Sequence, residues 1–489
     1  MKRAHAPRFA QRGQAATAMS ARPGKVLLAL IKQTPVFVVL TAPPAIAGFL
    51  EGETTFGQAM TVPSVIIGGL AIVSHQIKIE GDLRRIEAVA TLALVFVLSG
   101  VFVMPGFLAV GMSPLDAFFE GVSGITTTGL SVAPDAEDWP VSAHFLRGWS
   151  QWCGGVVVAV AGVALLMDSG RAARMMGEQS VGDNYMASTR AKARLILIVY
   201  AGLTVLAIIG LTLLIPGYWE GAMIALAAVS TGGFAPRTNS LADYSTAAQC
   251  FTFVICIAAS VSLLFYALAY ERGIRFALRK SMVATSLTII AAGTMAFVIL
   301  SGASNGWNVE DLTTAALNQV SAHTTAGFAT GPVPVGSSAV LVMIVAMVVG
   351  GDVGSTTGGL KTLRVVMLGR MVGLTLLRLR LPPSALSHIK DGDKRAKADT
   401  VIFATALVVV YLIAMLVFWL ALSAAGYDRM PALFDAVSAL SGVGLSAGVI
   451  GPDLAGWLKA LTIFAMLLGR LEFFALIALL LPSTWIKRS

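Results

Sequence analysis

Charge is what this chain has least of. Of 489 residues only 12% are Asp, Glu, Lys or Arg, about half the share a soluble domain carries. With 56% hydrophobic residues and a mean hydropathy of +0.80, the solvent of this chain is mostly lipid. Its class is therefore an all-α integral membrane protein, and spans rather than domains by length are the unit to count. Cysteine is scarce. Cys153, Cys250 and Cys256 all lie in apolar stretches without metal-ligand spacing, and there are only five histidines. That argues against a disulfide framework or a zinc site. The spans hold no Ser/His or paired-Asp constellation, so an enzyme is not expected. No dinucleotide fingerprint appears, so no organic cofactor is expected in this chain. The formal charge of +9 comes from basic residues in short loops, not interleaved with aromatics, which speaks for membrane topology rather than nucleic acid.

What is present are apolar runs near the roughly 20 residues that cross a bilayer. Ten candidates lie near 25–50, 60–78, 88–110, 143–168, 192–216, 247–270, 281–300, 336–376, 400–424 and 454–482. The eighth is broken by Gly350-Gly351 and Gly358-Gly359, the one kind of broken span the sequence marks. Basic residues cluster after alternate spans (Arg84 and Arg85; Arg171, Arg174, Arg190, Lys192 and Arg194; Arg272, Arg275, Arg279 and Lys280; Arg378 to Lys397), while acids such as Glu51, Asp135, Glu137 and Glu310 occupy the others. Both termini are then cytoplasmic. Residues Lys2 to Lys25 precede the first apolar run without a convincing cleavage site, so a retained first span is expected.

Four non-cytoplasmic segments carry an extra apolar stretch too short to span: Ser113–Ile125, Tyr218–Val229, Val309–His323 and Met430–Leu440. Ser113-Pro114 reads as an N-cap with proline at the first helical position. Each stretch runs into a matching loop. The loops are Thr126-Thr127-Thr128-Gly129-Leu130, Ser230-Thr231-Gly232-Gly233-Phe234, Thr324-Thr325-Ala326-Gly327-Phe328 and Ser441-Gly442-Val443-Gly444-Leu445. The aligned glycines stand 104, 94 and 117 residues apart, the mark of an internal repeat. The expected divisions are a tail over 1–24, two extra spans over 25–85, and pore repeats over 86–180, 181–275, 276–390 and 391–489.

Irregular backbone at membrane depth survives only where it lines a wet cavity or is buried in protein. Four such loops are suited to turning main-chain oxygens toward one axis, where they replace the water of a desolvated cation. Glycine keeps side chains off that axis, and half-helix C-termini favour positive charge there. The loops hold no carboxylate, so a monovalent ion is expected, K+ before a divalent one. The expected ion-binding residues are Thr127, Thr128, Gly129, Thr231, Gly232, Gly233, Thr325, Ala326, Gly327, Gly442, Val443 and Gly444. Arg470 lies deep in an apolar stretch, where a charge costs about 2.5–3.5 kcal/mol, so it should face the protein interior or a wet cavity. The alternative reading is a coupled secondary transporter of another cation or a small organic solute.

At these residues the chain resembles the Trk/Ktr superfamily of potassium transporters. The resemblance covers about residues 85–489 and rests on the four loops and the run Gly350-Gly351-Asp352-Val353-Gly354-Ser355-Thr356-Thr357-Gly358-Gly359-Leu360-Lys361. It rests also on Arg147, Gln151-Trp152-Cys153-Gly154-Gly155 and Leu468-Gly469-Arg470-Leu471-Glu472. The two extra N-terminal spans are similar to the Trk-type membrane subunit. The resemblance implies K+ uptake across a bacterial inner membrane and a homodimer with one pore per subunit. A separate cytoplasmic nucleotide-binding regulatory subunit is implied too. Gating is assigned by the same resemblance to Arg470 and to a loop containing Gly350, Gly351, Asp352, Gly354, Ser355, Thr356, Thr357, Gly358 and Gly359. Departures are His323, Asp352 and Ala258-Ala259-Ser260, where the family carries paired glycines. Asp352 is expected either to attract cations to the cavity or to pair with Arg470, His323 to be a hydrogen-bonded histidine behind the filter or else a pH sensor, and Lys361 and Arg364 to begin the next helix on the cytoplasmic side.

Overall fold

The computed structural model describes residues 20–77, 83–161, 185–380, 390–391, 394–395 and 398–486. The basic residues expected in 1–19 and 162–184 lie outside them. Apart from a two-residue pairing of Lys390–Asp391 with Lys394–Arg395, the described chain is helical. The N-terminal layer is α1 (Pro23–Lys32), α2 (Thr34–Leu50) and α3 (Thr54–Gln76). A Cβ on Gly48 would meet the Gly57 amide at 2.8 Å, so glycine is what lets α2 and α3 approach so closely.

Four units follow. The first has α4 (Arg85–Ala109), the half-helix α5 (Pro114–Ile125) and α6 (Val141–Ala161). The second has α7 (Tyr185–Leu214), the half-helix α8 (Tyr218–Val229), α9 (Thr246–Ser260) and α10 (Leu263–Arg272), then a short α11 (Ile274–Lys280). The third has α12 (Val283–Asn305), the half-helix α13 (Val309–Thr324), α14 (Val340–Val349) and α15 (Thr362–Arg378). The fourth has α16 (Ala398–Ala424), the half-helix α17 (Arg429–Ser441), α18 (Gly456–Arg470), α19 (Phe474–Leu480) and α20 (Pro482–Trp485).

Among the described residues six spans meet the length and hydropathy of a bilayer crossing, α1 and α2 counting as one, and two bent pairs bring the number to eight. The other two expected spans are α6, which carries Arg147, and the interrupted pair α14/α15. Large apolar side chains such as Ile209, Ile402 and Val417 are more than half exposed, the outward face of a protein dissolved in lipid. The half-helices sit at the centre instead. Ala225, Ala227, Ala228 and Val229 of α8, and Ala436, Val437 and Ala439 of α17, are wholly buried.

The expectation of a single broken span is corrected. Besides the gap between α14 and α15, α9 and α10 meet at 80°, and α18 and α19 at 119°. The breaks answer one another chemically. The freed Ser260 carbonyl at the end of α9 accepts from the Asp352 amide at 3.0 Å, and the Gly354 carbonyl accepts from the Leu263 amide at 3.0 Å. Helix-end groups that lipid cannot satisfy are thus satisfied by a second interrupted helix. At the far end of the chain the Ala21 amide donates to the Thr484 carbonyl at 2.7 Å, so the two described ends lie on one side of the molecule.

Candidate functional site

Each half-helix stops in the same way. In every loop the second residue is left-handed: Thr127, Thr231 and Thr325 have φ of 51–52° and Gly442 of 61°. The third residue then donates back into the helix. Thr128 N–H reaches Ser123 O, Gly232 N–H reaches Ala227 O, Ala326 N–H reaches Ser321 O, and Val443 N–H reaches Ser438 O, all at 2.8–3.0 Å. This is the Schellman stop, which satisfies an orphan carbonyl and reverses the chain. Threonine holds a position glycine would hold more cheaply; its hydroxyl is the gain.

The fourth residue is left-handed again, at Gly129, Gly233, Gly327 and Gly444. These glycines close a ring. A side chain on Gly129 would strike the Gly232 carbonyl, and one on Gly233 would lie 2.6 Å from the Ala326 carbonyl oxygen. One on Gly327 would strike the Val443 carbonyl, and one on Gly444 the Thr128 carbonyl, which returns to the first loop. Eight of the twelve expected ion-site residues, the third and fourth of each loop, therefore meet in one cycle of four backbones, and the other four precede them directly in the loops. Above it lies a cavity of about 510 Å³ lined by Gly129, Gly233, Gly327 and Gly444 together with Arg147 and Arg237.

The hydroxyls divide into two sets. Thr126, Ser230 and Thr324 turn back onto their own helices, to Val122 O, Leu226 O and Val320 O at 2.7–2.9 Å, while Ser441 pairs with the Tyr411 hydroxyl at 2.7 Å. The second-position hydroxyls face the other way. Thr231 meets the Thr356 hydroxyl at 3.3 Å, Thr325 accepts from the Gly358 amide at 2.7 Å, and Thr127 Oγ1 is buried with no partner among the described residues. The fourth loop has Gly442 there, so the hydroxyl ring is three-sided.

A second layer of residues holds the emerging chain, and three of them, Glu120, Asn318 and Asp435, are absent from the sequence expectations. Nine residues before the filter glycine stand Glu120, Asn318 and Asp435. Each accepts from the main-chain N–H twelve residues on: Val132 to Glu120 at 2.9 Å, Thr330 to Asn318 at 2.8 Å, and Ala447 to Asp435 at 2.6 Å. Asp435 also accepts from the Val449 and Ile450 amides and the Ser446 hydroxyl. The second repeat has Ile224 at the acceptor position and Pro236, which has no N–H, at the donor position. Both halves of the bond are missing together, which avoids an orphaned buried group. Here the loop is held from the first repeat instead. Gln151 donates to Gly232 O at 2.5 Å and accepts from the Phe234 amide at 3.2 Å. Arg147 donates to Ala235 O at 3.4 Å, lies 4.1 Å over the Phe234 ring, and pairs with Glu120 at 3.5 Å. The constant offset of nine was the signal available in the sequence. On the rim, the exposed Glu137 carboxylate takes the Thr238 hydroxyl and amide, which hold it below the usual carboxylate range.

Directly beneath three of the four loops runs the segment between α14 and α15. Thr356 Oγ1 donates to Val229 O at 3.2 Å, Gly358 reaches Thr325, and the Gly359 amide donates to Ser441 O at 2.9 Å. The expected gating residues Gly350, Gly351, Asp352, Gly354, Ser355, Thr356, Thr357, Gly358 and Gly359 all lie in this segment, and Arg470 reaches it. Arg470 Nη1 donates to Thr356 O at 2.9 Å, four residues along the loop from the expected partner Asp352. Lys361 and Arg364 stand at the start of α15, where the sequence places them, and both side chains are buried. Lys361 bonds back to Thr357, and Arg364 pairs with Glu472 at the α18/α19 break. His323 is buried behind the third loop, and its Nε2 has no partner among the described residues.

Fold and site together define a multi-pass membrane protein with four half-helix loops gathered into one ring. The chain matches the TrkH family, described as cation transport protein, over residues 104–288 and 281–486, and it belongs to that family. It is 27% identical over 449 residues to an uncharacterized cation transporter of Methanocaldococcus jannaschii, covering 90% of this chain and 92% of that one. Over 482 residues it is 27% identical to the Trk system potassium uptake protein TrkH of Halomonas elongata, covering 92% and 97%. Over 436 residues it is 28% identical to the protein of that name from Salmonella typhimurium, covering 83% and 87%. Its fold is that of the potassium transporter TrkH from Vibrio parahaemolyticus, whose crystal structure superposes with a TM-score of 0.83 over 95% of this chain and 100% of that one, at 23% identity.

Proposed function

We propose that this protein takes up K+ across the bacterial inner membrane through the ring of four loops. The observation that carries the reading is the closed cycle Gly129–Gly233–Gly327–Gly444, each glycine against the main chain of the next loop. Main-chain oxygens there replace the ion's water, and the absence of carboxylates from the four loops suits a monovalent ion. The names of the relatives from Halomonas and Salmonella, potassium uptake proteins, support K+ as the transported ion. The ion enters from the cavity above the ring. Below it, the segment 350–361 blocks the path, and Arg470 places a positive charge beside it that raises a barrier to cations. Opening requires the segment to leave Thr231, Thr325 and Ser441 and the Arg470 bond to break.

The repeat boundaries near 86, 181, 276 and 391, cytoplasmic termini, a homodimer and a separate nucleotide-binding subunit belong to the same proposal. The test is uptake into proteoliposomes holding the purified chain, with K+, Rb+, Na+ and choline compared. K+ and Rb+ flux above Na+, and none of choline, is expected. Uptake of an organic solute without cation flux would overturn the reading.

A further inference from the structure

A second cavity, of about 420 Å³, lies apart from the ring, where α4 begins and the chain ends. Its volume is in the range of ordinary small-molecule sites, about 300–1,000 Å³. The walls are apolar. Val89, Leu92 and Phe96 form one stripe of α4, Phe403 comes from α16, and Phe474 and Ala478 come from α19. Arg85, exposed at the start of α4, lines one part, and the buried Arg470 lines another. Glu472 also lines it, but its carboxylate is paired with Arg364. Nε and Nη2 of Arg470 have no hydrogen-bond partner among the described residues. The unpaired charge of the cavity is therefore positive.

An apolar slot between membrane helices with a basic residue at its mouth matches one kind of molecule in its surroundings. That molecule has an acyl chain and an anionic headgroup. We propose that this cavity binds an anionic phospholipid, its acyl chain between α4, α16 and α19 and its phosphate at Arg85. The location gives the site a consequence. Leu471 and Phe474 in its wall belong to the 119° break that follows Arg470 directly. A chain seated against them supports the bent arrangement in which Arg470 holds Thr356, so the occupied site restrains flux. That consequence rests on the conduction reading; the binding does not.

The test is native mass spectrometry of the full chain, with phosphatidylglycerol, phosphatidylcholine or inorganic phosphate added. One phosphatidylglycerol is expected to be retained about fivefold better than phosphatidylcholine, the worth of one basic residue at an anionic surface. Arg85→Gln should remove that preference, and Ala478→Trp, which fills the slot, should remove retention of the lipid altogether. Arg85 is exposed, so Arg85→Gln keeps the test open if the larger side chain impairs folding. Equal retention of both lipids, retention unchanged in Arg85→Gln, or binding of phosphate alone to the same degree would each overturn the site. Rb+ flux is read separately in vesicles of each lipid. Lipid retention without flux in any vesicle would count against conduction and leave the binding result standing.

Discussion

Arg470 and Thr356 come from different repeats, 114 positions apart, and meet through a 2.9 Å hydrogen bond from guanidinium to main-chain carbonyl. The bond joins the broken end of α18 to the segment that lies under the ring. A hydrogen bond from a charged group contributes about 1.5–3 kcal/mol, and each 1.4 kcal/mol is about tenfold in an equilibrium. Arg470→Gln is therefore expected to raise basal Rb+ uptake in proteoliposomes by about tenfold. Uptake equal to that of the unaltered chain would show that this contact does not restrain the path.

The ring glycines and the free glycines separate two effects. Gly327 has φ +75° and a neighbouring carbonyl where a Cβ would go, whereas Gly448 has φ +90° and nothing within 4 Å. Gly448→Ala meets only backbone strain, about 1 kcal/mol, and K+ over Na+ selectivity should be unchanged. Gly327→Ala must displace the fourth loop, and selectivity should fall. Bi-ionic flux ratios decide it: equal ratios in the two variants would remove the ring from the mechanism.

The missing strap of the second repeat makes a prediction with an unusual sign. Ile224→Asn makes the second repeat match the third at this position, yet Pro236 has no N–H to donate to it. A buried amide without a partner costs about 1–3 kcal/mol, so the variant should melt earlier in detergent. Adding Pro236→Ala supplies the donor and should recover much of the loss. No recovery in the double variant would mean that the second loop does not follow the path of the other three.

Glu120 and Arg147 form a buried pair in which each is the other's charge partner. Removing one partner from such a pair costs about 3–5 kcal/mol, while replacing both is far milder. Arg147→Gln alone should destabilise strongly and Glu120→Gln/Arg147→Gln less. A double-mutant cycle on thermal unfolding measures the coupling; additive losses would sink the assignment.

Much of this architecture was legible in the chain itself. The four half-helices begin and end within a residue or so of the apolar stretches that predict them, because their stops are local: a hydroxyl residue, a left-handed position and a glycine. The nine-residue offset was visible but carried no meaning, since Glu, Ile, Asn and Asp share no property until the amides they accept from are in place. Lys361 was legible as the start of a helix, but only the fold showed Thr357 lying back over it.

The sequence by itself determined the solvent of this protein, the repeat, and the register of the loops, because hydropathy and backbone propensity act over a few turns of chain. The tertiary structure alone decided that α9 and α18 break as well as the third span, and that Arg470 closes on Thr356 rather than on the nearest acid in the loop. Those outcomes depend on which freed carbonyls and amides face each other inside lipid, where no water offers an alternative partner. That pairing spans up to a hundred residues or more and leaves no periodic trace in any one segment.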